Sequence, residues 1–116
     1  MKRGEIWIVD LDPGFGREIR KKRPALIISL DIFNKSLSTI IVIPFSSQVP
    51  KLISAEMIMV FPNEENGLDK KTVILPLLIR SVDKERLIKK IGILQSDKLE
   101  EVENALKLVL GMIELD

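Results

Sequence analysis

The sequence predicts a mainly β protein: a small, strongly bent sheet or barrel followed by one C-terminal α-helix. Three observations carry this expectation. Short β-rich runs, punctuated by Gly, Pro and Asn, occupy most of the 116 residues. No apolar run approaches the ~20 residues of a membrane span. Only after residue 95 does the apolar period lengthen, with Leu99, Val102, Leu106, Val109 and Ile113 recurring at steps of three and four.

The first strand is expected over residues 5–12, where Glu5-Ile-Trp-Ile-Val-Asp-Leu-Asp alternates before Pro13-Gly14 closes it. A loop follows, Gly14-Phe-Gly-Arg-Glu-Ile-Arg-Lys-Lys, and residues 23–29 form the second strand. Residues 31–36 read as a helical turn. Thr39-Ile-Ile-Val-Ile-Pro-Phe is a third strand, bent or at an edge where Pro44 removes a donor. Residues 53–61 and 72–79 predict two more strands across the turn-rich Pro62-Asn-Glu-Glu-Asn-Gly67, and residues 86–94 the last. The helix is expected over about 96–113, with the barrel over about 3–95 in a single domain. Ser96 is placed at its N-cap, and Asp97, Glu100 and Glu101 suit the positive end of its dipole. So small a barrel is expected to dimerise, through a sheet edge or the helix.

Composition excludes several chemistries. There is no cysteine, hence no disulfide framework and no thiolate metal site. There is no histidine either, which removes the commonest general base, the commonest metal ligand and every Ser-His or Cys-His nucleophile pair. The start Met1-Lys-Arg-Gly-Glu lacks an apolar stretch behind its charges, so a cytoplasmic protein without a signal peptide is expected.

One charge anomaly stands out. The net charge is +1, yet Arg17, Arg20, Lys21, Lys22 and Arg23 fall within seven residues. A cationic loop delivering an arginine onto a strand is suited to holding phosphate, because a guanidinium offers parallel N–H donors in a fixed plane. The expected ligand is a polyanion, most simply nucleic acid.

Several segments then combine. Arg3-Gly-Glu-Ile-Trp with Val9-Asp-Leu-Asp-Pro13, Arg23-Pro-Ala-Leu-Ile-Ile-Ser29, Ile43-Pro-Phe-Ser-Ser-Gln48 and Ile79-Arg-Ser-Val-Asp-Lys-Glu-Arg-Leu87 occur in order. With Ile91-Gly-Ile-Leu and Ala105-Leu-Lys-Leu-Val-Leu-Gly, they resemble the MazF/PemK (Kid-type) toxin family from about residue 3 to residue 113. The resemblance implies an SH3-like barrel of the CcdB/MazF toxin fold, a symmetric homodimer, and metal- and cofactor-independent endoribonuclease activity on single-stranded RNA. It also implies an antitoxin partner whose acidic disordered tail covers the RNA groove. Carried over by position, the catalytic arginine is Arg23, the hydroxyl residue is Ser46 and the loop carboxylate is Glu18. The expected RNA contacts are Arg17, Arg20, Lys21 and Lys22 from the cation cluster, Ser47 and Gln48 beside Ser46, and Arg80 and Arg86, which match basic positions of the family's later motif. The chain departs from the family pattern at Gly16-Arg-Glu-Ile, where Gly-Ser-Glu-Gln is frequent, and at Leu77-Leu78, where a Glu-Gln pair is frequent.

Other readings of the same residues stay open. Ser46-Ser47 could cap a turn, Glu18 could be a counter-charge to Arg17 and Arg20, and Arg80 and Arg86 could pair with Asp83 and Glu85. Trp7 could stack on a base or belong to the core, and Phe15 and Phe33 likewise. A gyrase-poisoning toxin of the CcdB type, acting by binding through its C-terminal helix, is the alternative function. A catalytically silent dimer that still binds antitoxin or RNA is another.

Overall fold

The computed structural model describes residues 1–14, 16 and 21–113. Its strands are β1 (Glu5–Asp10), β2 (Lys22–Ile27), β3 (Thr39–Ser46), β4 (Ile58–Val60), β5 (Thr72–Ile74), β6 (Arg80–Asp83) and β7 (Leu87–Ile93). Its helices are α1 (Asp31–Ser36) and α2 (Ser96–Val109). All strand pairs are antiparallel, in the order β4-β5-β3-β2-β1-β7, with β6 added at the other end of β3. The sheet curls into a half-barrel that α2 covers, as the sequence predicts.

The curl originates in β3. Its first half, residues 39–42, pairs with β6, and its last two residues, Phe45 and Ser46, pair with β5. Pro44 sits at the handover. It has no N–H to lose, and its carbonyl accepts from Leu75 N–H at 3.1 Å. The expected bend at Pro44 is therefore present. Two register shifts between β1 and β7, at Ile6/Trp7 and Ile8/Val9, add further twist.

Strand alternation creates two cores. Leu26, Ile43, Phe45 and Ile74 face α2, where Val102 and Ala105 are buried and Leu99 and Leu106 pack alongside. Val9, Ala25, Ile27, Ile40, Val42 and Val82 form the second core on the opposite face, with Trp7 against it. Trp7 is thus a packing residue, and its indole N–H donates to Glu5 Oε1 at 2.9 Å.

Four expectations are corrected. Residues 53–61 predict one strand, but only Ile58–Val60 pairs, because Met57 N–H closes a turn onto the Ser54 carbonyl. Residues 72–79 also predict one strand. Instead Pro76 opens a 3-10 turn, Pro76–Leu78, and the chain returns as β6 on the far end of β3. Ser96 is the first helical residue rather than the N-cap; Gln95 holds that position without a side-chain cap. The helix stops at Val109, where Gly111 turns left-handed (φ 70°) and Met112 N–H reaches back to the Lys107 carbonyl at 2.7 Å. Ile113 is therefore exposed beyond the helix instead of completing its apolar stripe.

A close crossing joins the turn before β5 to β7. A Cβ at Gly67 would lie 1.9 Å from the Ile91 carbonyl oxygen, and one at Gly92 would lie 2.3 Å from that of Glu65. Both glycines are needed for Ile93 N–H to donate to the Glu65 carbonyl at 2.9 Å.

The one buried acid of the first strand is Glu5. Burial alone would raise its pKa. Hydrogen bonds from Lys2 N–H and the Trp7 indole, with Lys90 Nζ at 3.1 Å, outweigh that and hold it at about 2. A depressed carboxyl contributes stability that is full above its unfolded value of 4.5 and lost as pH falls towards 2. By that shift the contribution is on the order of 3 kcal/mol. Glu5→Gln is expected to lower stability at pH 7 and flatten its acid dependence between pH 4.5 and 2; urea titrations across that window check this.

Candidate nucleic-acid interface

The site begins with strand register. Ala25, Leu26 and Ile27 of β2 lie across from Pro44, Ile43 and Val42 of β3. Continuing this pairing by two residues sets Arg23 opposite Ser46, both within their strands. The two motifs, separated in sequence, become cross-strand neighbours.

Arg23 is half-buried, and its Nη1 donates to the Phe45 carbonyl at 3.4 Å. Burial pushes its pKa down, and the negative charge of Asp12 offsets part of that. A guanidinium in this position is poorly hydrated, which makes it a stronger partner for an incoming anion. Ser46 Oγ accepts from Gln48 N–H at 3.2 Å, so the serine does cap a turn. Its own hydroxyl hydrogen is not used in that bond. Capping and ligand contact are compatible.

Beside this pair lies a cavity of about 220 Å³. That is below the ~300–1,000 Å³ typical of drug-sized ligand sites and suits a phosphate or a nucleotide fragment. Lys21, Lys22, Arg23, Ser47 and Lys70 bring polar groups to its wall, and Phe45, Pro24 and Leu68 line its apolar side. Asp69 is the acid among them. Thr72 also lines it, although its hydroxyl donates to the Lys70 carbonyl at 2.9 Å.

The sequence-predicted residues thus separate into groups. Arg23, Lys21, Lys22 and Ser47 meet at the cavity, with Ser46 opposite Arg23 and Gln48 exposed on the turn that follows. Arg80 and Arg86 lie off it. Arg86 Nη1 donates to the carbonyls of Asp10, at 3.1 Å, and Asp12. Arg80 is on β6 opposite Val42, and its Nη1 is buried without a hydrogen-bond partner. The alternative of ion pairs with Asp83 and Glu85 is not realised among the described residues. Asp83 instead caps the 3-10 turn Lys84–Arg86, accepting from Glu85 N–H at 2.8 Å. Arg17, Glu18, Arg20 and Phe15 lie outside the described residues. Phe33 is exposed on α1, away from the cavity.

Lys70 and Asp12 were missed from the sequence. The signal for Lys70 was its pairing with Lys71 immediately before a strand, Lys70-Lys-Thr72. Only the tertiary pairing of Ser46 with Val73 carries that segment to Arg23.

This curled half-barrel, with its C-terminal helix and strand-held arginine, is the fold of the MazF/CcdB class of toxins. The chain belongs to the PemK-like, MazF-like toxins of type II toxin–antitoxin systems, whose family model matches residues 2–110. The solved structures agree. MazF from Deinococcus radiodurans superposes with a TM-score of 0.83 at 25% identity, over 97% of each chain. The Mycobacterium tuberculosis toxin MazF-mt6 gives 0.75 at 23% identity, over 92% of this chain and 96% of that one. An endoribonuclease from a mycobacterial species, solved in complex with its cognate antitoxin, gives 0.78 at 16% identity over 99% of each. Among the described residues no helix is long and apolar enough to cross a membrane.

Lys70 provides a test of the cavity as an anion site. Lys70→Ala is expected to weaken single-stranded RNA binding at low salt. It should also reduce the slope of log K against log salt by about 0.7, the loss of one phosphate contact. Fluorescence anisotropy across a salt series measures both.

Proposed function

We propose that this chain is a sequence-preferring, metal-independent endoribonuclease that cleaves single-stranded RNA, the toxin of a toxin–antitoxin pair. The observation that carries the reading is the half-buried Arg23 guanidinium, two residues along β2 from the Ala25–Pro44 pair as Ser46 is along β3, at a small cavity whose other described cations are Lys21, Lys22 and Lys70. Metal independence comes from the family resemblance.

In this reading the ribose 2′-oxygen attacks the adjacent phosphorus and the 5′-oxygen leaves. Negative charge grows on the non-bridging oxygens. Arg23 supplies charged donors fixed by its strand, and Ser46 adds a hydroxyl hydrogen bond. Arg23 is the electrostatic element, because a guanidinium gives up its proton only at high cost even when burial lowers its pKa. Glu18 is the proposed acceptor of the 2′-hydroxyl proton. Lys21, Lys22 and Lys70, with Arg17 and Arg20, would draw the RNA backbone in, and Ser47 and Gln48 would meet the strand leaving Ser46. The proposed protein partner is an antitoxin whose acidic tail competes for the same lysines, in the cytoplasm.

The dimer of this reading is assigned to a face other than the ones the sequence suggested. Residues 30–41 expose Leu30, Ile32, Phe33, Leu37 and Ile41 together, with Ile32 at 68% and Phe33 at 52%. An apolar patch of this kind marks an interface, and a second copy is its proposed cover. Phe33→Asp is expected to convert a dimer to a monomer without lowering helix or sheet content, read by light scattering and circular dichroism.

A binding toxin of the CcdB type would use the exposed Leu110, Met112 and Ile113 at the end of α2. One experiment separates the readings. Purified protein and Arg23→Ala are incubated with a long RNA in EDTA and the cleavage ends are mapped. Wild type is expected to cut at a recurring motif, and Arg23→Ala to lose at least roughly 100-fold in rate. Topoisomerase inhibition with no RNA cleavage would select the binding toxin; cleavage equal in both proteins would remove Arg23 from the mechanism.

A further inference from the structure

We infer that Asp12 is a positioning residue for the proposed cleavage site, holding Lys21 at the head of the strand that carries Arg23 without touching the RNA. The inference rests on the nuclease reading above.

Asp12 stands where the β1–β2 ladder ends. The last strand pair is Asp10 with Lys22, and Leu11 N–H still donates to the Lys21 carbonyl at 3.1 Å. One residue further, a side chain replaces the main chain: Lys21 N–H donates to Asp12 Oδ1 at 3.0 Å. Lys21 therefore has both its N–H and its carbonyl engaged. It needs to, because its φ is 72°, a left-handed conformation that costs a non-glycine residue about 1–2 kcal/mol. Glycine or asparagine is usual there. A lysine is held by the bonds on either side of it.

Asp12 is itself held. Its N–H donates to Asp10 Oδ1 at 3.1 Å, and its carbonyl, like that of Asp10, accepts from the Arg86 guanidinium. Arg86 comes from the 3-10 turn before β7, so the far side of the sheet fixes the residue that fixes Lys21. Lys21, Lys22 and Arg23 enter the cavity in succession from this point, while Asp12 does not line it. The carboxylate is exposed, and its charge reaches the half-buried Arg23.

A negative group behind a phosphate site has a distinctive signature. It repels the RNA while improving the geometry of the groups that act on it. Removing the charge should therefore slow turnover without weakening binding, whereas damage to the fold would harm both. Asp12→Asn is the informative variant, since its neutral side-chain carbonyl can still accept from Lys21 N–H but holds it more weakly than a carboxylate.

Steady-state cleavage of an RNA containing the mapped motif by wild type, Asp12→Asn and Asp12→Glu tests this, alongside affinity for the same sequence with 2′-deoxy at the cut. The expected result for Asp12→Asn is a kcat lower by roughly 10- to 100-fold, the cost of a misplaced reacting group. Its KM and deoxy-oligonucleotide affinity should be unchanged or tighter, with Asp12→Glu intermediate. Wild-type activity with an Asp12→Asn kcat within twofold overturns the inference alone, as does a parallel loss of affinity and thermal stability. If Asp12→Asn does not fold, Asp12→Glu decides: a kcat within twofold of wild type overturns the inference, and a lowered kcat with KM held supports it. A wild type that cuts no RNA overturns the nuclease reading and this inference with it.

Discussion

The rest of the molecule depends on β3 serving three neighbours. Along one edge it pairs with β2; along the other it pairs first with β6 and then, past Pro44, with β5. The two partners on that edge use different residues, 39–42 for β6 and 45–46 for β5, and Pro44 lies between them. The proline offers no donor at the point of exchange, and the strand bends there. The bend separates the two cores and gives α2 a concave surface to fill. It also brings the end of β3 to the start of β5. Ser46 thereby comes within reach of the Lys70–Thr72 segment while remaining across from Arg23.

That arrangement explains why the site is small and cationic while the protein is nearly neutral. Ion pairs elsewhere consume charge: Arg3 with Glu103 at 2.7 Å, Lys90 with Glu5 at 3.1 Å, and Lys98 with Glu101 at 3.1 Å. At the cavity the lysines meet a single aspartate among the described lining side chains. An exposed pair such as Lys98 with Glu101 adds little stability, typically below ~1 kcal/mol.

Much of this was legible in the amino-acid order because it is local. Trp7 alternates with Ile6 and Ile8, Arg23 precedes a proline and an aliphatic run, and the 3.6-residue stripe from Leu99 to Leu106 identifies a covering helix. What was not legible depends on long-range pairing. Nothing near Lys70 announces Arg23, which is far away in sequence; β5 must first find β3. Residues 53–57 are apolar enough for a strand but have no partner edge to join. Arg86 illustrates the same limit from the other side. Its neighbours Asp83 and Glu85 suggest ion pairs, yet the carbonyls of Asp10 and Asp12 at the end of β1 both accept from its Nη1, an acceptor pair that only the folded sheet creates.

Arg23 sits under two opposed demands. To act on a phosphate it must be stripped of water, because a hydrated guanidinium already has partners for its N–H groups. Stripping it of water disfavours its charge, and burial does push its pKa down. Placing an acid against it would relieve the cost but also occupy its donors and repel RNA. Asp12 is a compromise between the two: near enough for its charge to count, outside the cavity, and bonded to a main-chain N–H instead. The Phe45 carbonyl, at 3.4 Å, is a long and therefore weak partner that an incoming phosphate could displace. A binding site for an anion needs its cation held in place, and the half-buried setting of Arg23 on β2, with the Asp12 charge outside the cavity, provides that.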